Sequence, residues 1–320
     1  MKSYDVITVG SGLVDMFILG VAREKNKMLN LPLGMKIPVD MVFSSGGGGI
    51  NTATCISKLG LKVGFLGKIG LGYNSQVVLN DLKKFKVDFL GVKTKESTGY
   101  SIILETNKKH RTILTYKKAS DKLKFSEVNL EKLNTKWFHF TSMKGESFKT
   151  QEKLTDFATK KGIKISFNPG MNQIKKGGQR FKKILSKTYV LSMNQEEARM
   201  LVGENTSSTD LFKKLKKLGP KIVCITNGEK DGGVYDGKYL YRFTPRKVKV
   251  VETTGAGDAF VSSFVSGLIK FNDLEKAIKL AIANSESVIQ ERGTKNGLLN
   301  SREASKAVKS DKYEIRKRRI

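Results

Sequence analysis

Acidic residues are scarce in this chain. Thirty Asp and Glu stand against 59 Lys and Arg, for a formal charge of +29 and a pI of about 9.9. Cysteine, histidine and tryptophan are nearly absent, at two, two and one in 320 residues. Cys55 and Cys224 each lie in an apolar segment and have no spacing for a disulfide framework or a metal site, so both are expected to be reduced and structural. His110, in a hairpin turn, and His139, on an apolar strand, have no partner pattern for metal or acid–base work, and structural roles are expected for them too. No stretch approaches the roughly 18 uninterrupted apolar residues of a membrane helix. The first residues read as a strand containing Asp5, not as a signal peptide. The expectation is a cytoplasmic protein that meets no membrane. Apolar residues are modest at 39%, yet they cluster in short runs that suffice for a packed core.

Lys and Arg in such excess have two readings. One is nucleic-acid binding, since basic clusters neutralise phosphates. The other is a lysine-rich composition spread over solvated helix faces. The pairs Lys83-Lys84, Lys108-Lys109, Lys175-Lys176, Lys182-Lys183, Lys213-Lys214 and Lys216-Lys217 are scattered and not interleaved with aromatics in one module. No specific nucleic-acid reader is therefore expected. A positive field also draws in anionic substrates such as nucleotides and sugar phosphates. Residues 307–320, ending in Arg316 to Arg319, read as a solvated basic tail.

Short β-rich runs alternate with amphipathic helical patterns along the chain. Strands are predicted at Val6–Val9, Val63–Leu66, Trp137–Phe140, Ile163–Phe167, Tyr189–Ser192 and Ile222–Thr226, with Trp137, Phe138 and Phe140 in the core. Helices are predicted at Asn51–Leu59, Ser75–Phe85, Gln151–Lys160, Glu196–Leu201 and Thr209–Leu218, then at Ala256–Lys270 and Leu274–Glu291. Such alternation implies a doubly wound, mainly parallel sheet covered by helices on both faces. One region breaks the rhythm. Gly99–Glu105 and Arg111–Lys117 are strand-like and joined by Thr-Asn-Lys-Lys-His, a hairpin pattern. Met35–Phe43 is a third extended candidate, with Pro38 suggesting an edge. Together these segments, about 35–44 and 97–118, predict a small β-sheet lid inserted over the main sheet.

Two segments carry the chemistry. In Val251-Glu252-Thr253-Thr254-Gly255-Ala256-Gly257-Asp258-Ala259-Phe260, two glycines stand at the entrance of a helix. The first-turn N–H groups lack intrahelical partners and the dipole adds positive charge, so the site favours an anion. A carboxylate one residue later repels a phosphate, which makes sense if Asp258 takes a proton from a hydroxyl attacking that phosphate. The plainer reading is a tight turn with a favourable first-turn charge. In Ser44-Ser45-Gly46-Gly47-Gly48-Gly49-Ile50-Asn51-Thr52-Ala53, four glycines and Asn51 suit a loop pressed against a small polar ligand, or Asn51 caps the helix. No Gly-Lys-Ser/Thr follows, so this is not a Walker loop. Gly10-Ser11-Gly12 is no dinucleotide fingerprint, because Asp15 replaces the third glycine. Asp15 lies just past the first strand, where open α/β sheets bind ligands. Asn168-Pro169-Gly170 is either a cleft-lining segment or a plain turn.

These segments resemble the signatures of the ribokinase or PfkB family of carbohydrate kinases. The resemblance runs from Tyr4 to about Lys306, with Gly46 through Ala53 plus Leu59-Gly60 as one signature and Thr253 to Asp258 as the other. It implies a ribokinase-like fold over residues 1–306 and an ATP-dependent phosphotransferase using Mg²⁺. It implies that Asp258 is the base, with Gly255, Ala256 and Gly257 as the anion hole. Asp15, Gly46, Gly47 and Asn51 would bind the acceptor. Asn194 and Glu197 match a pattern associated with Mg²⁺ and phosphate. Thr226 and Gly228 match the start of a nucleotide loop followed by Gly232-Gly233, and Asn284 matches a position near the base.

Three departures stand out. Glu252 replaces the family's usual Asp, a position linked to a monovalent cation in some members, which leaves such an ion open. The loop Gly228-Glu229-Lys230-Asp231-Gly232-Gly233 reads as one residue longer than the common pattern, which leaves open which later glycine touches phosphate; Gly233 is placed with the nucleotide-binding residues. Leu13 stands where sugar-specific members often carry Asn, which weakens the case for ribose itself. A sugar is the first acceptor, a nucleoside the second and a sugar phosphate the third. The non-enzymatic rival is a nucleotide- or nucleic-acid-binding protein. A homodimer through the lid is also left open.

Overall fold

A computed structural model describes residues 2–320 except 27, 107–109, 176 and 204–205. The chain opens on β1 (Tyr4–Val9), the long strand β2 (Leu13–Lys25), β3 (Met28–Asn30) and β4 (Asp40–Gly46). Next come α1 (Gly48–Lys58), β5 (Val63–Leu66), β6 (Lys68–Ile69), α2 (Tyr73–Lys84), β7 (Asp88–Phe89) and β8 (Val92–Lys93). The hairpin β9 (Thr98–Thr106) and β10 (Arg111–Lys118) precedes β11 (Thr135–Thr141), α3 (Gly145–Lys161) and β12 (Lys164–Asn168). Then follow α4 (Met171–Ile174), α5 (Lys182–Leu185), β13 (Val190–Asn194), α6 (Gln195–Val202), α7 (Ser208–Lys217) and β14 (Ile222–Asn227). The remainder is β15 (Lys230–Tyr235), β16 (Tyr239–Phe243), α8 (Ala256–Phe271), α9 (Leu274–Val288), α10 (Ser301–Lys309) and β17 (Ile315–Arg319).

Ten strands form the main sheet in the order β17-β16-β15-β14-β13-β12-β11-β1-β5-β7. From β14 to β7 every neighbouring pair is parallel, while β15, β16 and β17 are antiparallel. Parallel strands need both faces covered, and alternation along β11 shows how this is met. Phe138 and Phe140 point into the core beneath α3 and α7, whereas Trp137 joins the opposite core with Phe264 and Ile278 of α8 and α9. Helix α7 buries Leu211, Phe212 and Leu215 and turns Lys213, Lys214 and Lys217 to water, as Lys83, Lys84, Lys182 and Lys183 also turn outward. Lys108 and Lys109 lie outside the described residues.

The lid is present as a second sheet, with β10-β9-β2-β3 in order and β4 on β2. The hairpin falls where expected, but its central strand does not. Leu13 to Lys25 forms the long β2, so Asp15 sits on the lid itself and not past a main-sheet strand. The edge strand begins at Asp40, after Pro38, whose missing N–H cannot join a ladder.

Residues 307–320 are not a solvated tail. Helix α10 runs on to Lys309, and Ile315–Arg319 pairs with β16, Ile315 opposite Phe243. The rings of Tyr239 and Tyr241 lie beneath the Lys317 ammonium at 4.7 and 5.2 Å. Aromatic surface thus takes up the lysine, and the remaining charges face water along the sheet edge. Among the described residues no helix is long and apolar enough to cross a membrane.

Candidate active site

Helix α8 begins where Gly255 takes a left-handed conformation (φ 86°), and a side chain there would meet Thr294 at 2.9 Å. Three residues on, the Asp258 carboxylate lies half-buried in the first turn and accepts a 2.9 Å hydrogen bond from Asn51 Nδ2. Asn51 Oδ1 accepts in turn from Thr294 Oγ1 at 2.9 Å. Asn51 is thus no helix cap: its amide is committed to orienting Asp258, and the cap position, Gly47, has no side-chain bond. Burial pushes the Asp258 carboxyl up to about 6, with the Asn51 amide and the Lys117 ammonium pulling the other way. Around Gly257 a Cβ would find open space, so the approach to the helix N-terminus stays free.

The glycine run has a steric cause. A side chain on Gly46 would lie 1.9 Å from Asp15 Oδ2, and one on Gly47 (φ 88°) would lie 2.6 Å from the Ser11 carbonyl. These glycines let β4 pass against Asp15 and let α1 start beneath the lid. Asp15 is buried, and desolvation raises its pKa to about 6. The Ser101 hydroxyl and Lys295 lower it, while Asp258 and Glu252 raise it further. The carboxylates of Asp15, on the lid, and Asp258, at the start of α8, are therefore near enough for their charges to interact.

Two residues missed in the sequence reading complete this region. Lys295 is buried, with Nζ 2.9 Å from Asp81 Oδ2 and hydrogen-bonded to the carbonyl and hydroxyl of Ser45. Nothing near Lys295 in sequence distinguishes it from dozens of surface lysines. Arg111, on β10, reaches out of the lid to Glu252 Oε1. The same oxygen accepts from Thr254 N at 2.9 Å and Thr254 Oγ1 at 2.6 Å. The loop that leads into α8 is thus tied to the lid by an ion pair.

The nucleotide side is more mixed. Asn194 and Glu197 form a capping box at the start of α6: Asn194 Oδ1 accepts from Glu197 N at 2.8 Å, and Glu197 Oε2 from Asn194 N at 3.0 Å. Glu197 also accepts from the Met171 N–H, and burial raises its pKa. Thr226 and Gly228 stand at the end of β14 and in the turn to β15. That turn is only two residues, because Asn227 pairs with Lys230, so the loop is not lengthened. Gly233 lies within the sheet, paired with Ile225 and Arg242, and a side chain there would strike the Phe212 ring at 2.8 Å. It packs against α7 and does not face a phosphate. Asn284 is likewise a core residue. It is fully buried, its amide bonded to Ser263 Oγ at 2.7 Å, Cys55 Sγ at 3.2 Å and Leu299 N at 2.8 Å. These bonds hold α1, α8 and α9 together and leave nothing for a base.

Cys55 and Cys224 are buried free thiols. His139 is fully buried beside Ser166, 2.7 Å away, its pKa driven down to about 3, and His110 contacts Glu24 at the lid. Among the described residues no group of three or more His, Cys, Asp or Glu could hold a metal ion.

With this geometry in view, the known proteins it resembles can be compared. Residues 28–301 match the family described as pfkB family carbohydrate kinase. The chain belongs to that family. It is 30% identical to an ATP-dependent 6-phosphofructokinase of Thermoanaerobacterium thermosaccharolyticum, over 89% of this chain and 87% of that one. A cytidine kinase of Thermococcus kodakarensis is 28% identical over 79% of this chain and 90% of its own. A putative ribokinase II of E. coli, solved in complex with ATP and Mg²⁺, has a TM-score of 0.83 at 19% identity, covering 96% of this chain and 99% of that chain. The ribokinase-like fold and the class of reaction, phosphoryl transfer to an alcohol group, follow for this pfkB-family kinase.

Proposed function

We propose that this kinase transfers the γ-phosphoryl of ATP to a hydroxyl of a sugar or sugar-like acceptor, with Asp258 as the base. The observation that carries the reading is the Asn51–Asp258 hydrogen bond at the mouth of α8. It holds one carboxylate oxygen and leaves the other for a hydroxyl. A pKa of about 6 keeps Asp258 ionised at neutral pH yet basic enough to accept a proton. The free N–H groups after Gly255 would meet the charge developing on the transferring phosphoryl. On the lid, Asp15 and Ser101 would accept and donate hydrogen bonds to acceptor hydroxyls, which suits a polyol. Gly46 and Gly47 bring the backbone close to the same space.

ATP would lie toward Asn194, Thr226 and Gly228. A Mg²⁺ bound with ATP keeps several waters and needs only one or two carboxylates. The Glu197 carboxylate, committed to the Asn194 and Met171 N–H groups, would reach the ion only through one of those waters, and the ion would neutralise charge on the phosphates. The Arg111 guanidinium already neutralises the Glu252 carboxylate through Oε1, which disfavours a monovalent cation there. A nucleoside is the second reading for the acceptor, favoured by the similarity to a cytidine kinase.

Two copies would pair through the outer face of the lid, where Met41, Phe43, Leu114 and Tyr116 are exposed, Phe43 and Leu114 each at 53%. Coupled detection of ADP with a panel of sugars, nucleosides and sugar phosphates tests the reading. ATP turnover that no acceptor accelerates would refute it.

A further inference from the structure

The two edges of an asparagine amide have nearly the same shape, and rotation about χ2 exchanges C=O for NH₂. Only the NH₂ edge suits an ionised Asp258, which accepts and cannot donate. In the structure Asn51 Nδ2 lies 2.9 Å from Asp258 Oδ2, and Asn51 Oδ1 lies 2.9 Å from Thr294 Oγ1, with the hydroxyl donating. Both residues are buried, so solvent is a poor substitute for either partner. Thr294 also fills the space that Gly255 leaves at the start of α8: a side chain on that glycine would meet Thr294 Cβ at 2.9 Å and Cγ2 at 3.1 Å. Thr294 is itself held from outside the site. It follows Gly293, with φ 81°, and precedes Lys295. The Lys295 ammonium is buried between the carbonyl and hydroxyl of Ser45 on β4 and Asp81 Oδ2 on α2, and Asp81 accepts from Ser45 Oγ at 2.8 Å as well. A buried ammonium deprived of its partners is costly, so Lys295 fastens the loop to β4 and α2.

We propose that Thr294 is a positioning residue for phosphoryl transfer: its hydroxyl holds the NH₂ edge of Asn51 toward Asp258 and so sets the direction of the carboxylate oxygen left for the acceptor. Without the hydroxyl, the buried Asn51 Oδ1 loses its donor. The reversed amide is no refuge, since it sets Oδ1 against a carboxylate. The amide then swings away or donates more weakly, because a donor whose own carbonyl is hydrogen-bonded is the more polarised one. Either way Asp258 holds its proton more tightly and its free oxygen is less well aimed. The effect on rate rests on the reading of Asp258 as the base; the effect on the carboxylate does not. The other charged or titratable groups whose fields reach Asp258 are Lys117 on β10, Asp15 on β2 and the Cys55 thiol on α1, and a change at residue 294 alters none of them.

The experiment titrates the Asp258 carboxyl by carbon-13 NMR in aspartate-labelled protein, with the resonance assigned from Asp258→Asn, and follows kcat and KM with pH. Wild type, Thr294→Val and Thr294→Ser are compared, with thermal melting to establish that each is folded. Valine keeps the packing against Gly255 and lacks the hydroxyl; serine keeps the hydroxyl. Thr294→Val is expected to raise the Asp258 midpoint by about one pH unit, a tenfold gain in proton affinity, and to carry the acid limb of kcat/KM up with it. Its kcat at pH 8 should fall about 3- to 30-fold, while the KM for ATP stays within about threefold. Thr294→Ser should restore the midpoint to within about 0.3 unit of wild type. In an Asn51→Ala background Thr294→Val should move the midpoint no further, as a hydroxyl that acts through Asn51 requires. A midpoint within about 0.2 unit of wild type in folded Thr294→Val would overturn the inference, even if that variant melts lower, because packing alone produces a lower melting temperature. Equal shifts in the valine and serine variants would overturn it as well. A midpoint that rises while kcat and the acid limb stay put would uphold the orientation of Asp258 by Thr294 and overturn Asp258 as the base.

Discussion

Replacing Asp258 with Asn keeps the shape of the side chain and removes its ability to take a proton. Loss of a general base costs about 10²- to 10⁴-fold in rate, or about 3 to 5 kcal/mol of barrier. The kcat of Asp258→Asn is expected to fall within that range in a coupled ADP assay at saturating ATP and acceptor. The structure adds a second expectation of opposite sign. The Asp258 pKa of about 6, against an ordinary 3.8, means that the folded chain holds the ionised carboxylate at a cost of about 3 kcal/mol. A raised carboxyl pKa opposes folding above the folded value and ceases to do so below the unfolded one. Asn carries no such cost, so the variant should melt at a higher temperature than wild type at pH 8. That gap should close as pH falls from 6 to 4. The bond from Asn51, now between neutral groups, gives back part of the gain. In wild type, kcat/KM should drop below about pH 6 as Asp258 takes up a proton. A kcat within about threefold of wild type in the Asn variant would refute the base assignment. A lower melting temperature at pH 8 would refute the account of its pKa.

Asp15→Ala should raise the acceptor KM strongly and leave ATP affinity, measured by calorimetry without acceptor, nearly unchanged; it should also make the acid limb of kcat/KM shallower, since Asp15 titrates near 6 as well. Collapse of ATP binding would mean that the two ends of the cleft are reversed. Arg111→Met leaves Glu252 buried without its cation, a loss of about 1 to 3 kcal/mol for a partly exposed pair, visible as a lower unfolding midpoint. Wild-type activity should be the same in potassium, sodium and tetramethylammonium salts, and strong activation by K⁺ would refute the reading of Glu252. Light scattering should give a dimer for wild type and a monomer for Phe43→Ser combined with Leu114→Ser; a monomeric wild type would remove the lid interface.

The two glycine-rich signatures were legible because each encodes a local need. Gly255 must adopt a positive φ, and Gly46 must let Asp15 pass, so both needs are written where they act. Partners that reach the cleft from distant chain positions were not legible. Lys295 is one lysine among many until folding sets it between Asp81 and Ser45, and Arg111 meets Glu252 only because the lid strand β10 packs near the start of α8. Gly233 and Asn284 mislead for the converse reason: glycine and asparagine also solve packing problems, one beneath the Phe212 ring and the other among three helices. The strand β2 is hidden although Leu13 to Leu19 is rich in β-formers, because the buried carboxylate of Asp15 interrupts the apolar run. Strand β17 was missed because its charges masked a ladder that depends on tyrosines about 75 residues earlier.

The hydrogen bond from Asn51 to Asp258 joins positions 207 residues apart, and the contact between Thr294 and Asn51 spans 243. At ribosomal speeds of ~5–20 residues per second, the glycine loop waits roughly 10 to 40 s for its carboxylate to be made. During that interval the nascent chain exposes an unoccupied Asn51 and the underside of α1. In refolding, closing so long a loop comes at an entropic cost that local helices never meet. Circular dichroism should therefore recover ahead of catalysis. The lag between the two signals would time the meeting of the first and last thirds of the chain.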